Sequence, residues 1–361
     1  MRAGWRQCAL VRVLYFGTYE RRYPRNAQVI SCLRRAGVEV VERHEPIWEH
    51  EHKWDTGPAA VARAVRAQAR LLRRPRARFD AVIVGYPGHL DLPAARFAAR
   101  GAPVIFNPLV SLADTLVDDR ARFRSGSQAA RALGALDRFA FRRADVVVAD
   151  TDAHATLFRE LGARRVETAL VGAEERVFTP GWTAPERFGA LFVGKLIPLH
   201  GLETILEAAR LAPELTFRIV GNGQLDALLD ARPPNVDWVR WVDYEELPRE
   251  LHAAGCALGI FGTSAKAARV IPNKAYQALA CGTPLVTADT PAARELLVDG
   301  DDALLVPPGD PAALAAAVRR LATDPTLQQT VAKSGHATYR ARASEDVLGK
   351  RWRAIVETAH V

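Results

Sequence analysis

Two lysine-containing loops in the second half of the chain carry the residues best suited to bind an anion. The first, Gly194-Lys195, follows an apolar run and leads through His200 into a helical pattern. The second, Asn273-Lys274, opens another helical pattern. At such turns an ammonium group, free backbone N–H groups and the helix dipole all favour a bound phosphate. The loops therefore predict a site for a nucleotide sugar or a similar phosphorylated ligand.

Lysine is rare in this chain, which makes its placement informative. Only six of the 49 lysine and arginine residues are lysines, and Lys195, Lys266 and Lys274 occupy loops predicted to face a cleft. A compact ammonium on a flexible stem suits a phosphate site where a planar guanidinium would not fit.

The elements that must position these loops alternate between short apolar runs and amphipathic helical patterns. Continuous runs rich in Val and Ile are typical of strands buried on both faces of a parallel sheet. In the first half, strands are predicted at 11–16, 38–41, 81–84, 103–106, 146–149 and 168–171, and helices at 26–36, 59–72, 92–99, 127–142 and 153–161. The alternation restarts with strands at 190–193, 216–220, 236–241, 257–260, 285–288 and 303–306, and helices at 202–211, 224–229, 244–254, 274–280, 292–297 and 311–322.

This order predicts an α/β fold with two Rossmann-like, doubly wound domains in series. Their ligand sites lie at the carboxyl ends of the strands, and those ends can face each other across a central cleft. A Pro- and Gly-containing segment at 174–187 marks the boundary, so the domains are predicted at 1–175 and 176–343. A last helix within 344–361 is predicted to pack back on the first domain.

Composition indicates a soluble globular protein: 49% of the 361 residues are hydrophobic and 25% are charged. No apolar stretch reaches the roughly 18 residues of a membrane span, and the arginine-containing start is predicted to be a strand, not a signal peptide. Cys8, Cys32, Cys256 and Cys281 are scattered, which predicts no disulfide framework or zinc site and fits a reducing cytoplasm. The histidines at 44, 50 and 52 lack an acidic partner at ligand spacing, so no metal site is predicted.

Charge is concentrated in the first half. Residues 1–175 hold 29 basic and 20 acidic residues, a net charge of +9, whereas the remainder carries −1. This asymmetry favours an anionic partner, either a phosphorylated acceptor or the inner surface of an anionic membrane. The alternative is an arginine-rich, solvated helix face at 63–74. No nucleic-acid partner is predicted, because no helix-turn-helix, finger or RNP motif accompanies the charge.

Several segments of the second half form a series that matches a known family. Gly194-Lys195, four residues and then His200-Gly201 stand for Gly-Arg, four residues and Lys-Gly. A strand with its glycine turn at 217–223, a helix-to-strand segment at 278–285 and the stretch 295–308 follow in the family's order. In this combination the second half resembles the family 4 glycosyltransferases of GT-B fold, which are retaining enzymes that use nucleotide-diphosphate sugars. Over the first half the resemblance is architectural.

One part of the family pattern differs. The family has two glutamates separated by seven residues, and in that register this chain has Arg269 and Gln277. The resemblance implies that position 277 meets the donor's ribose, where glutamine can still hydrogen-bond hydroxyls. It implies that position 269 contacts the donor sugar, where Arg269 reverses the charge and makes an acidic sugar an alternative.

The resemblance implies that the second domain holds the donor. Lys195, His200 and Lys274 are the predicted catalytic residues, because charge that grows on a diphosphate leaving group needs fixed cations and N–H dipoles. His200 stands where the family has lysine, so turnover is expected to fall as the imidazole deprotonates unless the cleft raises its pKa. The predicted donor-binding residues are Gly194, Gly221, Gly223, Trp241, Val242, Asn273, Gln277 and Glu295. The structural alternatives are a surface lysine at 195, a turn cap at 200, a core aromatic at 241 and a helix-surface glutamate at 295.

The first domain is then expected to hold the acceptor. Polar residues follow its first, third and fourth predicted strands, and His89 or Asp91 could bind or deprotonate an acceptor hydroxyl. A turn histidine is the alternative for His89. The predicted acceptor-binding residues are Gly17, Thr18, Arg25, His89, Asp91, Ser111 and Asp114.

Together these inferences predict a metal-independent, hexosyltransferase-type enzyme of polysaccharide or glycoconjugate biosynthesis, with no cofactor besides the nucleotide-sugar co-substrate. The acceptor is a glycan, a lipid-linked molecule or a small molecule. Two alternatives remain: a nucleotide-sugar epimerase of the same fold, which would act on the donor alone, and a non-catalytic GT-B binding subunit.

Overall fold

The computed structural model describes residues 10–21, 23–47, 58–73 and 75–360. Two six-stranded sheets dominate it, and all of their strand pairs are parallel. This confirms the predicted α/β fold with two doubly wound sheets.

The first sheet is built from the strands of the first half. They are β1 (Arg12–Gly17), β2 (Glu39–His44), β3 (Ala81–Val84), β4 (Val104–Phe106), β5 (Val146–Ala149) and β6 (Val166–Thr168). Their order across the sheet is β2-β1-β3-β4-β5-β6. The connecting helices are α1 (Pro24–Arg35), α2 (Pro58–Leu71), α3 (Leu92–Ala99), α4 (Gln128–Arg143) and α5 (Asp152–Glu160). The residues of β3, β4 and β5 are fully buried, as expected for central parallel strands.

The second sheet is built from the strands of the second half. Its strands are β7 (Gly189–Val193), β8 (Thr216–Val220), β9 (Val236–Val239), β10 (Cys256–Leu258), β11 (Leu285–Ala288) and β12 (Leu304–Val306), in the order β12-β11-β10-β7-β8-β9. The helices that follow are α6 (Leu202–Leu211), α7 (Leu247–Ala253), α8 (Asn273–Cys281), α9 (Pro291–Arg294), α10 (Pro311–Thr323), α11 (Pro325–Arg342) and α12 (Glu345–Thr358).

The last helix, α12, lies against the first domain. Its buried side chains Leu348, Trp352 and Ile355 belong to one apolar cluster with Val29 and Leu33 of α1. The chain therefore crosses between the two domains twice, once near residue 175 and again just before α12.

Some predicted elements differ from those in the structure. The strand predicted at 168–171 lies instead at Val166–Thr168. Beyond it, the carbonyls of Ala169 and Leu170 accept hydrogen bonds from Arg25 Nη1 at 3.1 and 2.8 Å. The helix predicted at 224–229 is a 3₁₀ turn at Asp226–Ala231. Helix α11 was not predicted, since its buried face includes Gln328 and Gly335 and lacks a clear apolar stripe.

The carboxyl ends of the two sheets face each other. The segment after β4 forms a π-helical turn, Asp114–Asp119, and contacts the segment 266–269 that follows β10. The start of α5, just after β5, contacts Glu295, which follows β11. In the described ranges, no helix is both long enough and apolar enough to cross a membrane.

Candidate active site

Gly194, His200 and Lys274 come together at the carboxyl end of β7. Lys274 is the second residue of α8, and its Nζ lies 3.6 Å from the centroid of the Phe192 ring. A Cβ added at Gly194 would lie 2.9 Å from this Nζ and 3.4 Å from His200 Cε1. The two loops that the sequence predicts to form one site thus lie side by side.

The Lys274 ammonium is the most unusual group of this site. Its side chain is 9% exposed, and among the described residues Nζ has no hydrogen-bond partner. Burial lowers the pKa of Lys274 well below its ordinary value. A buried cation is costly unless an anion pairs with it. The site is therefore electrostatically suited to a negatively charged ligand.

His200 is held as a neutral ring. It is buried, its Nδ1 contacts the carbonyl oxygen of Lys195, and burial followed by the charge of Lys274 lowers its pKa well below the usual value. The expected fall in turnover as His200 deprotonates required a pKa near the ordinary value. In the free protein that titration lies well below neutral pH.

The glycine turn after β8 completes the floor of the site. Gly221 has φ +138°, and an added Cβ would lie 1.9 Å from the carbonyl oxygen of Gly194, so no other residue fits there. The Leu196 N–H donates to the Asn222 carbonyl at 3.0 Å, and the Gly223 N–H donates to Asp226 Oδ1 at 2.5 Å. The first bond joins this turn to the loop after β7, and the second lies within the turn itself.

The other predicted donor residues differ in how far their side chains are exposed. Lys195 is exposed, Asn273 begins α8 and is half-buried, and Gln277 is buried. Trp241 lies two residues beyond β9 and is 68% exposed, and its indole N–H donates to Asp243 Oδ1 at 3.1 Å. The alternative of a core aromatic at 241 is therefore wrong. Val242 is half-buried against the apolar core.

Glu295 connects the two domains. Its carboxylate accepts hydrogen bonds from the backbone N–H groups of Asp152 and Ala153, at 2.7 and 2.8 Å, and so caps α5. Both oxygens are used in this contact. A donor contact from Glu295 stays a prediction.

Arg269 also spans the cleft, at the position where the family has a glutamate. Its Nη2 lies 2.5 Å from Asp114 Oδ1, and its carbonyl accepts a hydrogen bond from Thr151. Next to it, Lys266 Nζ donates to Thr115 Oγ1 at 2.8 Å. Asp114, predicted to bind the acceptor, is thus paired with a cation of the second domain.

In the first domain, Gly17, Thr18 and Asp91 meet beneath the cleft. Asp91 accepts hydrogen bonds from the Thr18 backbone N–H at 2.7 Å and hydroxyl at 3.0 Å, and Gly17 lies directly beside the same carboxylate. Burial raises the pKa of Asp91. Because Asp91 is fully buried, it orients the end of β1 and presents no surface to a ligand in this conformation.

His89 and Ser111 converge on Asp137, a residue that the sequence pattern did not single out. Asp137 accepts from Ser111 Oγ at 2.6 Å and from the Leu112 N–H at 2.9 Å, and it lies 3.2 Å from His89 Nε2. Burial tends to raise the pKa of Asp137, but the interactions with His89 and Ser111 outweigh it, so the pKa is lowered. The sequence offered one indication of this buried residue. Asp137 precedes the buried Ala140 and Phe141 of α4 by three and four positions, so it lies on the same face of the helix.

Arg25 is fully buried, so the predicted contact with an acceptor finds no exposed surface. Its Nε donates to Asn107 Oδ1 at 3.1 Å, and the guanidinium stacks over Trp352 of α12. Together with its bonds to the carbonyls after β6, these contacts tie α1 to α12. Burial lowers the pKa of Arg25.

No metal centre is found in the parts of the chain that the structure describes, since no three His, Cys, Asp or Glu side chains are placed to share an ion. His44 Nε2 contacts the Tyr19 carbonyl at 2.7 Å, whereas His50 and His52 lie outside the described residues. Cys32, Cys256 and Cys281 are buried free thiols, and Cys8 lies outside the described residues.

Two doubly wound sheets whose carboxyl ends face each other across a cleft define the GT-B class. The fold is similar to sucrose-phosphate synthase from Thermosynechococcus elongatus, with a TM-score of 0.73, 16% identity, and coverage of 97% of this chain and 98% of that one. It is also similar to Anabaena HepE, solved in complex with UDP-glucose, with a TM-score of 0.69, 18% identity, and coverage of 96% and 99%.

The sequence places the chain within that class. Residues 1–174 match the model of the glycosyl transferase 4-like domain, and residues 187–324 match that of glycosyl transferases group 1. The chain belongs to the family 4 glycosyltransferases of GT-B fold.

Curated relatives match over part of their length. The lipopolysaccharide core biosynthesis glycosyltransferase LpsD of Rhizobium meliloti is 26% identical over 170 residues, which are 46% of this chain and 48% of that protein. The D-inositol 3-phosphate glycosyltransferase of Kribbella flavida is 29% identical over 247 residues, 60% of this chain and 55% of that protein. The chain thus spans about half the length of the curated relatives it matches.

Proposed function

We propose that this protein is a retaining glycosyltransferase that moves a sugar from a nucleotide-diphosphate sugar to a hydroxyl acceptor without a bound metal. The observation that carries the proposal is the buried Lys274 ammonium, with no hydrogen-bond partner among the described residues, beside Gly194 and His200. A diphosphate placed there would pair with the ammonium and with N–H groups at the start of α8.

The chemistry follows from this pairing. As the bond from the sugar's anomeric carbon to the diphosphate breaks, negative charge grows on the leaving oxygen, and Lys274 stabilises it in a partly dry site. The acceptor oxygen bonds to the anomeric carbon on the same face, and its proton passes to an oxygen of the leaving diphosphate. Positioning supplies most of the rate enhancement in such a reaction, and no protein nucleophile is needed.

A uridine diphosphate donor is the first choice. HepE shares the fold and was solved with UDP-glucose. The exposed Trp241 beyond β9 offers a flat apolar surface for a nucleobase, and base-aromatic stacking contributes about 1–3 kcal/mol. Lys195, exposed on the neighbouring loop, is assigned as the second cation for the diphosphate.

We also propose that the first domain contacts an anionic membrane through α2. Residues 58–79 contain seven arginines and no acidic residue. Val61, Val65 and Leu72 are exposed on or just after this helix. Exposed apolar side chains among arginines are typical of helices that lie on anionic lipid surfaces. Cosedimentation with vesicles that contain anionic lipid, but not with neutral vesicles, is the expected result.

Thermal unfolding in the presence of UDP, GDP, ADP and TDP tests the donor site. A ligand at about 100 times its dissociation constant adds roughly 2.7 kcal/mol to the stability of the binding state, which corresponds to a shift of about 5–10 °C for a domain of this size. We expect such a shift with UDP in the wild type and in Lys333→Met, whose lysine is exposed on α11. Lys274→Met should abolish it. No shift with any nucleotide would refute the proposed donor site.

One observation favours a second candidate, a non-catalytic binding subunit. Arg269, at a position where the family has a glutamate, is engaged with Asp114 of the other domain. Nucleotide binding without consumption of any nucleotide sugar, with or without acceptors, would favour this candidate. Consumption that depends on an acceptor would favour the transferase and exclude an epimerase.

A further inference from the structure

Two lysines near the cleft, Lys266 and Lys274, are similarly buried but have different surroundings. Lys266 is 5% exposed, and its Nζ donates to Thr115 Oγ1 at 2.8 Å and lies 3.8 Å from Asp119 Oδ2. Lys274 is 9% exposed, yet among the described residues its Nζ has no hydrogen-bond partner and no carboxylate paired with it. Only the first lysine therefore has a partner that stabilises its charge.

The groups that contact Lys274 Nζ offer it no acceptor. Nζ lies 3.6 Å from the centroid of the Phe192 ring, and a Cβ added at Gly194 would lie 2.9 Å from Nζ. His200 is the titratable neighbour, and burial and then the charge of Lys274 lower its pKa. The face of an aromatic ring attracts a cation, but it replaces none of the hydrogen bonds that three N–H groups make in water. An ammonium at this position has thus lost its water without gaining an acceptor.

The charged groups of the neighbouring elements do not compensate for this loss. Lys266 and Arg120 are themselves cations, and their charges also act on His200. The nearby carboxylates face other partners: Asp114 faces Arg269, Asp119 faces Lys266, Asp150 faces His154, and Glu295 binds the N–H groups at the start of α5. On α8 itself, burial raises the pKa of the Tyr276 hydroxyl, which therefore carries no charge. Lys195, on the loop after β7, is exposed.

These surroundings oppose the charged form of Lys274 in the ligand-free protein. Burial lowers its pKa well below the ordinary value, and no carboxylate of the described residues opposes that shift. Burial also lowers the pKa of Lys266, but there Asp119 and Asp114 act in the opposite direction. As the pH rises above the lowered pKa, a growing fraction of the free protein carries an amine at position 274.

We propose that binding of a nucleoside diphosphate at this site takes up one proton from solution, which converts the Lys274 amine to the ammonium. The proton adds to the lone pair of Nζ and comes from the solvent. The diphosphate oxygens supply the acceptors that the three N–H groups lack, and their negative charge pairs with the cation. The coupling rests on the proposed function for the identity of the ligand.

The coupling makes nucleotide affinity depend on pH in one direction. Below the pKa of Lys274 in the free protein, the ammonium is already formed and the affinity is constant. Above that pKa, each further pH unit lowers the ammonium fraction about tenfold, and the affinity falls with it. An arginine at the same position would stay charged throughout this range.

Nuclear magnetic resonance of protein that contains isotope-labelled lysine tests the ligand-free state. The chain has six lysines, so the Lys274 signal is identified as the one lost in Lys274→Met. We expect its Cε signal to titrate at lower pH than those of the exposed Lys333 and Lys350. Added UDP should move the Lys274 titration to higher pH. A Lys274 titration that coincides with those of the exposed lysines would overturn the proposal, whether or not a nucleotide binds.

Isothermal titration with UDP measures the proton uptake. At about pH 8 the free nucleotide has lost its last phosphate proton, whose pKa is about 6, and so takes up none. The binding enthalpy should vary with the ionisation enthalpy of the buffer, with a slope close to one proton per bound UDP. Lys274→Arg should bind UDP with a slope near zero. The matched control Lys333→Arg, on the surface of α11, and the variant His200→Gln should retain the wild-type slope.

Three outcomes of this titration would overturn the proposal. They are a slope near zero in a wild type that binds UDP, a wild-type slope in Lys274→Arg, and loss of the slope in His200→Gln, which would assign the proton to His200. If Lys274→Arg does not bind, the wild type and His200→Gln decide the question. UDP binding that leaves the Lys274 signal unmoved refutes the coupling alone, whereas absence of any nucleotide binding refutes the proposed donor site and the coupling together.

Discussion

Arg269 of the second domain and Asp114 of the first form an ion pair across the cleft, with 2.5 Å between Nη2 and Oδ1. Arg269 stands where the family places a glutamate that contacts the donor sugar. In this chain the position instead joins the two domains, together with the neighbouring contact of Lys266 with Thr115. The ion pair therefore joins the two domains at a position where the family pattern has the opposite charge.

Reversal of this charge should loosen the domains. Arg269→Glu places two carboxylates together, and we expect the free energy of unfolding to fall by about 2–3 kcal/mol and the radius of gyration in X-ray scattering to rise. Asp114→Arg in the same chain should restore both quantities. Arg294→Glu is the control, because its partner Asp289 lies within the second domain. An equal change in the control, or no rescue, would contradict the role of the pair.

Lys274→Met should separate stability from activity. The substitution removes a buried ammonium with no hydrogen-bond partner among the described residues and keeps the apolar stem, so the ligand-free protein should gain about 1–3 kcal/mol in unfolding free energy. Turnover should fall about 10²–10³-fold, because the growing charge on the diphosphate loses its cation. Chemical denaturation and steady-state kinetics measure the two effects. A stability loss with unchanged turnover would show that Lys274 is only structural.

His200 predicts how stability depends on pH. Its pKa in the folded protein is well below the usual value of about 6.5, mainly because of burial. Below about pH 6.5, His200 binds a proton in the unfolded chain but not in the folded protein, so the free energy of unfolding falls as the pH falls. The unfolding temperature of the wild type, relative to His200→Gln, should therefore decrease between about pH 7.5 and pH 5. A constant difference over that range would mean that the ring is not held neutral.

Trp241 should contribute to nucleotide affinity and little to the fold. Because the side chain is 68% exposed, Trp241→Ala should leave the unfolding temperature nearly unchanged. Loss of base stacking should weaken nucleotide binding by about 1–3 kcal/mol, and Trp241→Phe should retain much of the affinity. Titration of tryptophan fluorescence with UDP provides the measurement. If Trp241→Ala binds UDP as tightly as the wild type, the base lies elsewhere.

The parallel sheets were predictable because their strands are uninterrupted apolar runs. The predicted strands at 81–84, 146–149, 216–220 and 285–288 have the same bounds in the structure. The surroundings of the segment after β6 were not predictable, since its carbonyls accept hydrogen bonds from a guanidinium of α1 that is more than 140 positions away in the chain. The sequence around β6 gives no indication of this partner.

The residues of the site also divide into those that the sequence could predict and those that it could not. Lys274 could be identified from the sequence because a lysine at the start of a helix adds its positive charge to that of the helix dipole and so favours a bound anion. Asp137 could not, because its role depends on His89 and Ser111 from other elements. Arg25 and Glu295 were predicted to bind the acceptor and the donor, but only tertiary contacts show that one joins α1 to α12 and the other caps α5.

Helix α12 supplies Trp352 and Ile355 to the apolar cluster that covers one face of the first sheet. Domains usually fold in order as the chain leaves the ribosome. In this protein the first domain lacks part of its core until residues 345–359 have been synthesised, after the whole second domain. The second domain is therefore expected to complete its apolar core first on the ribosome, and the first domain completes its core last.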